Sequence, residues 1–125
     1  MDRFDRIVDK VASDSKVREL IKPYEGLRLE CDGMTRVVTY LLKQNGIPHK
    51  VMLGTIAVDG KGDFSPHYWV ELPSGEVVDY KSRMWFGNDR MIPQGVFKPE
   101  GTVVSYDGRV VSLPVTEMVF NILTM

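Results

Sequence analysis

A single cysteine, Cys31, is all that the 125-residue chain offers for sulfur chemistry. No internal disulfide can form, and a free thiol suits a reducing compartment better than secretion, so a cytoplasmic protein is expected. Long hydrophobic runs are also missing. Nothing approaches the roughly 18 apolar residues of a membrane span, and "MDRFDRIVDK" has no continuous apolar stretch of the kind an export signal needs. Neither export nor membrane insertion is signalled. Charge of one sign is absent as well: 16 Lys and Arg against 17 Asp and Glu leave a net charge of -1. That argues against a dedicated nucleic-acid face or an anionic-membrane anchor. There is no internal repeat, low-complexity tract or C-x-x-C pair.

What remains is an ordinary globular composition, 43% hydrophobic and 26% charged. The length suits one domain spanning residues 1–125 and leaves no room for a separate cofactor domain, so no cofactor is implied.

Helices come first along the chain. Phe4, Ile7, Val8 and Val11 fall on one face of an amphipathic helix. Val17, Leu20 and Ile21 repeat that spacing behind a cap at Asp14 or Ser15, with Pro23 as the stop. A third helix should begin near Cys31 or Asp32, because Met34, Val37, Val38, Leu41 and Leu42 form an apolar stripe that Gly46 and Pro48 terminate. Cys31 lies on that inward stripe at the helix's N-terminal end.

After "NGIP" the pattern turns to β-structure. "KVMLGTIAV" reads as a strand and "DGKGD" as a turn or loop. "HYWVEL" and "EVVDY" read as a hairpin through Pro73, Ser74 and Gly75. "TVVSY" and "RVVSL" flank Asp107-Gly108, a dipeptide typical of tight hairpins, so a second turn is expected there. "TEMVFNILTM" reads as a closing helix with a strand as the alternative, and residues 81–99 read as loop with "MWFG" as a helical turn. The fold class is therefore α+β, with the Cys31 helix packed on an antiparallel sheet.

Register connects two of the polar residues. If Pro73 to Gly75 form the loop, Val70 pairs with Val78 and Trp69 with Asp79, and His67, Trp69 and Asp79 share one face. A two-residue loop would put His67 and Asp79 on opposite faces. With the longer loop they are diagonal neighbours at about 7–8 Å between backbones, within reach for imidazole and carboxylate.

Cysteine, histidine and aspartate suit acyl chemistry for separate reasons. A thiolate attacks a carbonyl carbon, a histidine takes and returns the proton, and a carboxylate fixes the imidazole tautomer. The positive end of a helix favours the thiolate and offers backbone N–H groups to an oxyanion. Simpler readings stand beside this one. A lone cysteine on an apolar stripe is commonly core, and an aspartate at a strand end commonly caps a turn. The three residues are also acceptable zinc ligands, although no paired ligand motif supports that. Trp69 alternates onto the same face and is a candidate wall of a substrate site. Glu71 shares the face, as a salt-bridge residue or a further polar group of the site. His49 has no partner at useful spacing and is expected at the surface.

"CDGMTRVVTYLLKQNGIPHKVMLG", followed by "HYWVEL" and "VVDY", resembles the transglutaminase-like branch of the papain-like cysteine enzymes. The resemblance covers roughly Gly26 to Tyr80 and follows that family's order of Cys, His and Asp. It implies Cys31 as nucleophile, His67 as base and acid, and Asp79 as the orienting carboxylate. The implied substrate is a peptide or another acyl compound, handled by loops such as "DGKGDFSP" and "SRMWFGNDR". "DYKSRMWFG" is similar to small bacterial and phage members. No tryptophan precedes the cysteine and no upstream glutamine serves the oxyanion, so the second oxyanion donor is unassigned. A non-catalytic binding or phage accessory protein on the same fold is the alternative.

Overall fold

The structure, a computed structural model, describes residues 15–125. The helix expected around Phe4, Ile7, Val8 and Val11, and the Asp14 cap, lie outside the described residues. The fold is α+β. Helix α1 covers residues 15–21 and runs into a 3₁₀ turn, Lys22–Tyr24, that holds Pro23 in its first turn. Helix α2 spans Cys31–Gln44. Strands β1 (Lys50–Val58), β2 (Gly62–Glu71), β3 (Val77–Asp79), β4 (Gly95–Phe97) and β5 (Val104–Val110) form one antiparallel sheet in the order β4-β3-β2-β1-β5. Helix α3 spans Glu117–Leu123.

Local chemistry explains the helix ends. Gly46 adopts a φ of 65° after α2, and the N–H groups of Gly46 and Ile47 bond to the carbonyls of Lys43 and Leu42. A glycine supplies the left-handed turn that closes a helix C-terminus without a Cβ penalty. The final segment is helix rather than strand. Thr116 caps it by accepting a hydrogen bond from the N–H of Val119 at 3.1 Å, and Phe120 stacks on Tyr40 of α2 at 4.3 Å.

The sheet divides its side chains by alternation. Val51, Val70, Leu72 and Val78 join Met34, Val38 and Leu42 of α2 and Val17 and Ile21 of α1 in the main core. Met52, Trp69 and Val77 point the other way and pack with Phe97 and Tyr106. The stripe read along α2 is thus the surface that covers the sheet.

The first hairpin has the expected register. Val70 pairs with Val78 and Glu71 with Val77, Leu72 donates its N–H to the Glu76 carbonyl, and Gly75 takes a φ of 88°. The same register puts Trp69 opposite Asp79. Strand β2 begins earlier than expected: of the residues from Gly62 to Pro66, read as loop, Gly62, Asp63 and Phe64 pair with Val58, Ala57 and Ile56 of β1, beyond an irregularity between Gly54 and Ile56.

The second hairpin does not exist. Asp107 and Gly108 lie inside the continuous strand β5, paired with Thr55 and Gly54 of β1. Their glycine serves close approach rather than a turn. A Cβ at Gly108 would lie 2.6 Å from Cη2 of Trp69 and 2.7 Å from the Leu53 carbonyl oxygen, and one at Gly54 would run into the Asp107 carbonyl. Gly108→Ala should therefore destabilise the protein by about 1–3 kcal/mol, the usual cost of overpacking. Urea unfolding would read this as a lower midpoint at unchanged slope.

Candidate active site

Helix α2 delivers Cys31 and the β2–β3 hairpin delivers His67 and Asp79. The first N–H groups of α2, like those of any helix, have no partner within it, and Glu30 at the N-cap, with extended backbone, does not cap them with its side chain. Strand β3 stops at Asp79, before the position opposite His67, which leaves the β2 edge beside the imidazole without a strand neighbour. The Cys31 thiol interacts with the His67 ring. The three candidate residues are therefore brought together. All are buried: Cys31 is 6% exposed, His67 0% and Asp79 4%.

The hydrogen bonds around His67 fix its tautomer. Its Nε2 lies 2.7 Å from Oδ2 of Asp79, and a carboxylate can only accept, so Nε2 carries the hydrogen. Its Nδ1 lies 3.1 Å from Nε1 of Trp85, and an indole N–H can only donate, so Nδ1 presents a lone pair. Asp79 is held in turn. Oδ1 accepts from the N–H of Lys81 at 3.0 Å, and Oδ2 also accepts from the Tyr106 hydroxyl at 2.9 Å.

Two groups in this cluster titrate far from their ordinary positions. Burial acts to lower the His67 pKa, but the hydrogen bonds to Asp79 and Cys31 and the charges on both outweigh it and push it up to about 9. The Trp85 hydrogen bond works against that rise, because an imidazolium has no lone pair to accept it. Tyr106 is raised strongly, by burial first and then by the charge and hydrogen bond of Asp79. It remains a neutral donor to the carboxylate at any ordinary pH.

Aromatic rings enclose the cluster. Trp69 lies parallel to His67 at 6.1 Å and against Tyr106 at 4.8 Å, while Trp85 stacks on Phe64 at 3.6 Å. Trp69 is 1% exposed and belongs to the packing of the sheet. It also borders, with Tyr106, Glu71 and Lys98, a cavity of about 730 Å³ on the sheet face away from α2. Glu71 is half-buried at that cavity's rim.

His49 departs from expectation. It is half-buried and fully engaged, with Nε2 at 2.6 Å from the Thr39 hydroxyl and Nδ1 at 2.9 Å from the Ile47 carbonyl. The partner missing from simple spacing is a helical threonine that faces the strand start once α2 packs on the sheet. Tyr106 and Trp85 were not anticipated either, whereas the Lys81 N–H bond to Asp79 is the turn cap that the sequence offered as the simpler role of that aspartate. Tyr106 precedes the Asp-Gly pair read as a turn, and Trp85 sits in the turn-rich segment 80–91, which carries no periodicity.

Among the described residues no group of three or more His, Cys, Asp and Glu is arranged to hold a metal. With the Trp85 indole in place, both ring nitrogens of His67 are engaged by protein partners. Among the same residues no helix is long and apolar enough to cross a membrane. No protein family, curated protein or solved structure matches the chain.

Proposed function

We propose that the chain is a cysteine-dependent acyl hydrolase or acyl transferase built on a papain-like, transglutaminase-like core, acting on an amide, ester or thioester. The observation that carries this reading is the chain of contacts from Cys31 at the start of α2 to His67 and from His67 to Asp79. Charge-matched thiol, imidazole and carboxylate in that sequence are what acyl transfer through sulfur requires.

In this mechanism the Cys31 proton passes to Nδ1 of His67, and the sulfur adds to the acyl carbon. The first-turn N–H groups of α2, which have no partner within the helix, lie at the sulfur's end, where an oxyanion develops. His67 then gives its proton to the departing amine, alcohol or thiol, leaving an acyl thioester on Cys31. Water or an amine, deprotonated by His67, adds to that thioester, and Cys31 leaves. Asp79 holds Nε2–H throughout and balances the imidazolium.

The test is acylation by an activated ester such as p-nitrophenyl acetate. The intact protein should gain one acetyl mass on the peptide containing Cys31, with release of nitrophenol, and Cys31→Ala should do neither. The absence of any Cys31 adduct on the native protein, with the ester consumed no faster than by Cys31→Ala, would count against the reading. The near-complete burial of Cys31 and His67 favours a second reading, a non-catalytic binding or phage accessory protein on the same fold. On that reading the thiol stays inert until the protein unfolds.

A further inference from the structure

The Trp85 indole meets His67 on the nitrogen that the proposed chemistry needs free. Nε2 is committed to Asp79, so only Nδ1 can take a proton from Cys31. That lone pair already accepts the Trp85 N–H at 3.1 Å. One lone pair cannot hold both the indole hydrogen and the thiol proton. Transfer breaks the S–H bond and forms Nδ1–H, which yields thiolate and imidazolium, and the new N–H then points at the indole N–H. The two states are mutually exclusive.

We propose that Trp85 is a positioning residue that gates the cysteine: its indole holds His67 in the neutral Nε2–H form, and the reactive thiolate–imidazolium pair arises when the indole withdraws. The inference rests on the acyl-transfer reading for its consequence, but the competition for Nδ1 stands on geometry. The titratable groups facing the ring are Cys31 from α2, Asp79 from β3 and, through Asp79, Tyr106 from β5. Cys31 and Asp79 favour the imidazolium, and Trp85 is the group in contact that opposes it.

The position of Trp85 suits such a role. It is borne on a run of turns rather than on a strand. Its ring lies flat on Phe64, at 3.6 Å between centroids and 13° between planes, a contact without hydrogen bonds along which a ring can slide. The segment itself is anchored on either side of the indole's chain position by Ser82 to the Pro93 carbonyl at 2.6 Å and Arg83 to the Ile92 carbonyl at 2.7 Å. A modest rotation of the side chain thus releases Nδ1 while the backbone stays tied.

The decisive experiment combines alkylation with NMR. Trp85→Phe retains an aromatic surface for Phe64 and removes the N–H. It should raise the rate of Cys31 alkylation by iodoacetamide at pH 6.5–7.5 about three- to tenfold, the factor that one ordinary neutral hydrogen bond is worth. It should also move the His67 titration to higher pH. The wild-type protein supplies a second measurement, for which a tryptophan variant serves only to assign the signals. The chain has two tryptophans, so the indole N–H signal that Trp85→Phe or Trp69→Phe removes assigns the pair. The Trp85 signal should shift with the same midpoint as the His67 ring nitrogens. An unchanged alkylation rate in a folded Trp85→Phe protein, or a Trp85 N–H signal that stays constant while His67 titrates, would overturn the gate. The enzyme reading fails by a separate sign, which is alkylation of Cys31 that is the same with and without His67.

Discussion

His67→Ala should slow alkylation of Cys31 by iodoacetamide at pH 6.5 about tenfold or more. A neighbouring imidazolium enlarges the thiolate population of a cysteine at a helix N-terminus by at least that factor. Asp79 and Cys31 push the His67 pKa up to about 9 against the effect of burial, so once the Trp85 indole withdraws the ring takes and keeps a positive charge beside the sulfur through the neutral range. Across pH 5 to 10 the native protein should label well below pH 8, and the variant should lose that low-pH reactivity first. Asp79→Ala should act in the same direction with smaller effect on reactivity, since it orients the ring and does not attack. Labelling only after denaturation, unaltered by either substitution, would leave Cys31 as a core residue and end the catalytic assignment.

Asp79→Ala should cost about 3–5 kcal/mol of stability, the usual consequence of removing one member of a buried charged pair. That is a large share of the 5–15 kcal/mol by which domains are ordinarily stable. The carboxylate is 4% exposed and accepts from His67, Tyr106 and the N–H of Lys81. Its deletion leaves all three donors without their acceptor in a place water does not reach. Asp79→Asn keeps one carbonyl oxygen and should lose less. The loss also depends on pH. His67 has a folded pKa raised above its ordinary 6.5, so its contribution is fully present below about 6.5 and is lost as pH rises towards about 9. The variant lacks the group that raises it most, so the gap between wild type and Asp79→Ala should be widest below pH 6.5 and narrow in alkali. Urea unfolding at pH 6 and pH 9 measures both points, and a gap that widens with pH would contradict the pairing.

The residues that proved legible were those with a local physical signature. The α2 stripe, its glycine stop and the three-residue hairpin each depend on neighbours within a few positions. Period 3.6 marks the helix, and the parity of a hairpin fixes which side chains share a face. That parity was enough to place His67 beside Asp79. Asp107-Gly108 is the counterexample: the dipeptide has the chemistry of a turn, yet Gly108 sits in mid-strand because the Trp69 ring needs its empty Cβ position. A turn signal states what a glycine permits, and only the packing states which permission is used.

The sequence by itself therefore determined the α+β class, the helix that begins at Cys31, and the common face of His67, Trp69 and Asp79, because periodicity and hairpin parity are properties of the chain. The tertiary structure alone decided that Tyr106 joins the cradle of Asp79, that His49 bonds Thr39, and that Trp85 meets Nδ1 of His67. Those partners come from elements whose adjacency depends on how α2, β5 and the 80–91 turns pack around the sheet. Hydrogen-bond complementarity acts only after burial has removed water and left each donor one acceptor to find. No spacing rule along the chain encodes it.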